Sequence, residues 1–98
     1  MTLATTAYDV AEHLRTPKEQ ALYLQACLDE AGDDAAFIAK ALGDIARAKG
    51  MTQVAQAAGM SRESLYKGLS GVRAPNFETI LRVMSALGLR FQAKPVLA

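Results

Sequence analysis

MTQVAQAAGMSRESLYKGLSG, residues 51–71, spells two short helices joined by a tight corner. Thr52 is placed to cap the first helix, its hydroxyl accepting from an amide of the first turn that has no partner within the helix. Val54, Ala55 and Ala58 give that helix a small apolar face at helical spacing. Gly59 then breaks it where the backbone must turn left-handed, a conformation glycine adopts without a Cβ clash. Met60 drops back toward the core, Ser61 caps the second helix, and Leu65 with Leu69 supplies an inward i, i+4 pair. Glu63, Tyr66, Lys67 and Ser70 stand on the opposite side, with Arg62 at the exposed tip. Ala55, four residues before Gly59, lets the two helices cross closely. This is the helix-turn-helix layout. An ordinary αα-hairpin with a glycine corner has the same spacing, so the spacing alone leaves that reading open.

The chain has 98 residues, enough for one domain with at most an appendage. At that size about two thirds of the unfolded surface is buried, and dimerisation is a ready source of further burial. No apolar run is long enough to span a bilayer, and no basic start followed by an apolar stretch marks a signal peptide. Cys27 is the sole cysteine, which rules out an intrachain disulfide or a cysteine-rich zinc site. These features are those expected of a reducing cytoplasm. Net charge is +1, but its distribution is uneven. Residues 1–34 carry two basic against seven acidic side chains, and residues 35–98 carry nine basic against three acidic. An acidic front and a basic back point to two partners of opposite charge.

Taken in order, Met1 to Thr6 is small and uncapped, as in a mobile terminus. Tyr8 to Leu14 has the spacing of a single short helix. His13, the only histidine, has no companion ligand and fits a surface position. Thr16-Pro17-Lys18-Glu19 is a helix start: Thr16 as cap, Pro17 at the first helical position and Glu19 completing a capping box. The helix is expected to run to Ala31, with Ala21, Leu24, Leu28 and Ala31 as one stripe, broadened by Leu22 and Cys27. Cys27 fits a small buried apolar residue. Asp33-Asp34 opens the next helix, to Lys49, with Phe37, Ile38, Leu42, Ile45 and Ala46 inward. Arg47 and Lys49 suit the negative end of its dipole.

Beyond the corner motif, Gly71 to Pro75 is a loop. Asn76 caps a last helix from Phe77 to about Leu87, with Phe77, Ile80, Leu81, Val83, Met84 and Leu87 apolar. The start of that helix is a natural phosphate seat, on which Arg73 closes from the loop. Leu89 to Lys94 alternates apolar and polar at period two, which predicts a short β-strand in need of a partner. Repeats, phosphate-binding glycine loops, metal-ligand clusters and paired carboxylates in a cleft are absent, so no catalytic residue, cofactor or metal is expected and an enzyme is not.

With YDVAEHL, TPKEQALYLQACLDE, FIAKALGDIARAKGMTQVAQAAGMSRESLYKGLSG and PNFETILRVMSALGLRF in sequence, residues 8–94 resemble the HigA-like addiction-module antidote proteins. These carry a phage-repressor-type, or XRE-like, helix-turn-helix. The resemblance implies an all-α fold of the five-helix phage-repressor type with an N-terminal helical extension: residues 1–33 form the extension, which contacts a toxin, and residues 34–98 the helix-turn-helix domain, ending in the short strand. It implies a cytoplasmic antitoxin that neutralises a RelE/ParE-like toxin and, as a homodimer, binds double-stranded operator DNA to repress its own operon. By position, it places Arg62, Glu63, Tyr66 and Lys67 at base edges or nearby phosphates, and Gln53 against the backbone. With Thr52, Ser61, Ser64, Arg73 and Asn76, these make up the candidate DNA-contacting set. Gly68 departs from the pattern, since an apolar residue usually fills that slot, and the second helix is expected to end or shift there. A stand-alone phage-type repressor without a toxin is the alternative. A protein-interaction module that has lost DNA binding is a third.

Overall fold

The computed structural model describes residues 14–96, and within them the chain forms five helices. They are α1 (Pro17–Ala31), α2 (Ala35–Lys49), α3 (Met51–Ala58), α4 (Arg62–Gly68) and α5 (Phe77–Ala86). The expected helix over residues 8–14 and the terminus Met1 to Thr6 lie outside the described residues, apart from Leu14, which is buried and not helical.

Four of the five helix starts follow from local side-chain chemistry. The Thr16 hydroxyl accepts from Glu19 N–H at 3.1 Å while Glu19 Oε1 accepts from Thr16 N–H at 3.1 Å, a closed capping box. Asp34 accepts from Phe37 N–H at 3.1 Å, Ser61 from Ser64 N–H at 3.0 Å, and Asn76 from Thr79 N–H at 2.8 Å. Each such cap is worth about 1 kcal/mol. The fifth start corrects an expectation. α3 opens at Met51 with Gly50 in the capping position, and Thr52 lies inside the first turn without a side-chain cap. Gly50 also ends α2, donating its N–H to Ala46 O at 2.8 Å. One residue serves both helix ends, and no capping side chain fits between them.

The corner after α3 forms as its glycine demands. Gly59 is left-handed, at φ 71° and ψ 34°. Its N–H reaches Gln56 O at 3.2 Å and the Met60 N–H reaches Ala55 O at 2.9 Å. These two bonds satisfy carbonyls the helix end would leave open.

α2 is the centre of the molecule. Ile38, Ala39, Leu42, Ile45 and Ala46 are buried, and α1, α3 and α5 pack against the helix. Leu24 and Cys27 from α1, Val54 from α3, Leu65 from α4 and Val83, Met84 and Leu87 from the α5 region join one core. Several apolar residues assigned inward are not covered. Leu22 on α1, Phe37 on α2, and Phe77 and Leu81 on α5 are all exposed. Helical period fixes which face a residue shares, and among the described residues no element packs over those edges.

The C-terminal strand is a second correction. Residues 89–96 form no strand, and no strand occurs among the described residues. Alternation gives a strand only where a neighbour supplies ladder hydrogen bonds, and the described residues, helices and loops alone, offer none.

Two long-range features of α2 escape a reading of local pattern. Tyr23 on α1 donates its hydroxyl to Asp44 Oδ2 at 2.8 Å, and Asp44 also pairs with Arg47. Burial, the bond donated to Asp44 and that carboxylate's charge all raise the Tyr23 pKa, so the phenol stays protonated and holds α1 to α2. The second feature is Gly43, where α2 meets the end of α4. A Cβ there would sit 2.9 Å from the Leu69 carbonyl oxygen, a backbone atom. Gly43→Ala gains about 1 kcal/mol of helix propensity, but overpacking of this kind costs about 1–3 kcal/mol. The variant is therefore expected to be less stable than the parent by thermal denaturation; an increase in Tm would contradict the close approach.

Candidate nucleic-acid interface

α4 is a seven-residue helix with its one buried side chain, Leu65, fully enclosed. Leu69, just past its end, is also buried, so the helix is held from one side only. It stops at Gly68, as that residue's departure from pattern led us to expect. Arg62, Glu63, Tyr66, Lys67 and Ser70 all face solvent. Arg62 and Tyr66 are one turn apart, and the guanidinium carbon lies 5.6 Å from the ring centroid. Such a contact is worth about 0.5–1 kcal/mol at an exposed site and steadies the arginine along the outward face. Ser61 and Ser64 are joined hydroxyl to hydroxyl at 2.9 Å in the cap.

An open hollow of about 580 Å³ lies beside α4, between it and the start of α5. Ser64, Lys67, Arg73, Asn76 and Thr79 line it, so four candidate residues from α4, the following loop and the α5 cap meet there. The Asn76 side chain is committed to its cap, and the first amides of α5 have no partner within the helix. With Lys67 and Arg73 alongside, the hollow has the donors and charge to hold a phosphate oxygen. Thr52 and Gln53 lie in the first turn of α3, both exposed, with the Gln53 carboxamide folded over Gly50. They are not part of that hollow.

Away from this face, Cys27 is buried, and burial foremost pushes its thiol pKa up, with the Asp44 and Glu30 charges adding to the rise against a lowering contribution from the Tyr23 hydroxyl. A thiol held protonated is a packing residue, not a nucleophile. Among the described residues no group of three or more His, Cys, Asp and Glu is placed to hold a metal ion, and no helix is long and apolar enough to cross a membrane.

Comparison with known proteins shows the family. A protein of Haemophilus influenzae, described as uncharacterized, is 51% identical over 94 residues, spanning 96% of this chain and 95% of its own. No solved structure gives a significant match. Residues 4–95 match the family described as "Probable addiction module antidote protein", nearly the whole chain, and the protein belongs to that antidote family.

Proposed function

We propose that this antidote neutralises a RelE/ParE-like toxin and, as a homodimer, represses its own operon by setting the outward side of α4 into operator DNA. One observation carries the DNA half of this reading. α4 gives up a single side chain, Leu65, to the core and keeps Arg62, Glu63, Tyr66 and Lys67 free on one exposed surface. Arg62 is suited to fork onto guanine in the major groove and Glu63 to accept from cytosine, while Lys67 and Arg73 neutralise phosphates. The protein acts by binding alone. Membership of an antidote family favours the toxin-partnered reading over a stand-alone repressor.

A seven-residue helix reads few base pairs, so two copies on half-sites about 34–36 Å apart supply the rest. α5 supports that assembly. Phe77 is 68% and Leu81 46% exposed, one turn apart. The Glu78–Arg82 pair stands beside them at 2.9 Å, and a two-fold axis through such a patch brings acid onto base in both directions.

The toxin is assigned to the acidic side of α1 and the turn after it, where Asp29, Glu30, Asp33 and Asp34 are exposed. An enzyme that cleaves RNA presents a basic substrate groove, and opposite charge speeds docking. The triple change Asp29→Lys, Glu30→Lys, Asp33→Lys is expected to slow toxin association about tenfold or more. Surface plasmon resonance against the product of the adjacent gene measures it. An unchanged on-rate would move the toxin contact elsewhere on the chain.

A further inference from the structure

A second groove, of about 230 Å³, flanks α4 on the side away from Arg73. Gly43, without a side chain, is part of its lining. The end of α4 settles onto α2 there, and Gly71 carries the departing chain past the Lys40 stem. Lys40, Arg47, Tyr66 and Ser70 form its polar rim, over a floor of Met51 and Leu69.

No carboxylate lines this groove. Asp44, next in sequence to Gly43, already accepts from Tyr23 and pairs with Arg47. Arg47 keeps further N–H donors after that pair, and half of its side chain is exposed. Lys40 is exposed, and no side-chain partner for it occurs among the described residues. Lys40 and Arg47 are seven residues apart, so they share one face of α2 and stand about 10 Å apart along its axis. That span matches about three steps of a DNA strand, which carries one charge per 3.4 Å of axis.

A helix lying in the major groove, about 12 Å wide, has a sugar–phosphate backbone on each side of it. On the DNA-binding reading proposed above, the hollow with Lys67 and Arg73 would take one of them. We propose that the α2–α4 groove seats phosphates of the other, gripped by Lys40 and Arg47 from outside the helix-turn-helix itself. This rests on the DNA-binding reading and adds a second clamp to it. The clamp is blind to sequence, so it sets affinity and not preference.

The test is the dependence of DNA affinity on salt for the full chain, using promoter and scrambled duplexes. Each phosphate contact contributes about 0.9 to the slope of log K on log salt, or about 3.5-fold in affinity for a fourfold rise in salt. Lys40→Gln is expected to flatten the slope by about one contact, and Lys40→Gln with Arg47→Gln by about two, equally on both duplexes. Arg47→Gln also strips Asp44 of its cationic partner, leaving only the Tyr23 bond, so Lys40→Gln alone and a thermal melt separate a lost contact from a weakened fold. A steep slope in the parent that both variants share would overturn the clamp and leave the recognition helix standing. A parent without salt-sensitive binding would overturn both. Inorganic phosphate raising the Tm of the parent but not of Lys40→Gln, with slopes unchanged, would assign the groove to a free anion and also overturn the clamp.

Discussion

Leu65→Ala is expected to lower the unfolding free energy by about 2–5 kcal/mol, the range for emptying a fully buried leucine site. For a domain this small, that corresponds to a fall in Tm of about 10–30 °C. Leu65 is 0% exposed and is the one side chain α4 itself buries. Its loss removes core contacts and also frees the helix from the surface that aims it. DNA affinity should therefore fall by more than the loss of folded protein alone explains. Leu24→Ala is the control. It empties a comparable buried site on α1, away from α4, and should cost similar stability while the folded fraction binds DNA as the parent does. Denaturant melts and binding titrations on the same samples separate the two effects. Equal DNA affinity for folded Leu65→Ala and folded Leu24→Ala would contradict the view that Leu65 positions the reading surface.

Arg62→Ala carries the second large effect, and its signature is a change of preference. A bidentate arginine–guanine contact contributes about 1–3 kcal/mol of discrimination, or about 5- to 150-fold between matched and scrambled duplexes. Removing it should collapse the ratio of the two affinities while scrambled-duplex binding weakens only slightly. Arg73→Ala is the contrast. Its side chain lies in the hollow beside the start of α5, with Lys67. Losing one phosphate contact there should weaken both duplexes alike and flatten the salt slope by about one contact. The cation–π contact of Arg62 with Tyr66 adds a check. Tyr66→Leu keeps a side chain of similar size without the ring quadrupole, and should erode preference partway toward Arg62→Ala. If Arg62→Ala and Arg73→Ala produced the same profile, the division into a reading residue and a phosphate residue would not hold.

What was legible in the sequence follows from the range of the forces involved. Thr16, Asp34, Ser61 and Asn76 could be named as caps because each bonds an amide three residues on, a matter of local geometry. The Gly59 corner was legible for the same reason. Thr52 misled because the compression of two helix ends onto Gly50 depends on how α2 and α3 pack. Phe37, Phe77 and Leu81 carry helical period as clearly as Leu42 does. Whether anything covers them is decided by the rest of the molecule. The period-two run at Leu89 to Lys94 misled likewise, since a strand is a property of two segments and the described residues hold only one.

The candidate site shows the same division. The outward set on α4 could be read from the i, i+4 placement of Leu65 and Leu69 alone. The meeting of Lys67, Arg73 and Asn76 around one hollow was foreseen only as a loop beside a helix start. Lys40 and Gly43 gave no local signal. A lysine on a helix surface and a glycine inside a helix are each unremarkable until α4 is laid across them. The Tyr23–Asp44 tie was hidden in the same way, its two ends 21 residues apart.

The central claim is that the solvent side of α4 engages operator DNA. Titration of the unmodified protein against its own promoter duplex and a scrambled duplex, at salt from about 50 to 200 mM, addresses it most directly. Binding should be tighter to the promoter, and the affinity for both duplexes should drop steeply as salt rises. Weak, salt-insensitive binding that does not distinguish the two duplexes would contradict it.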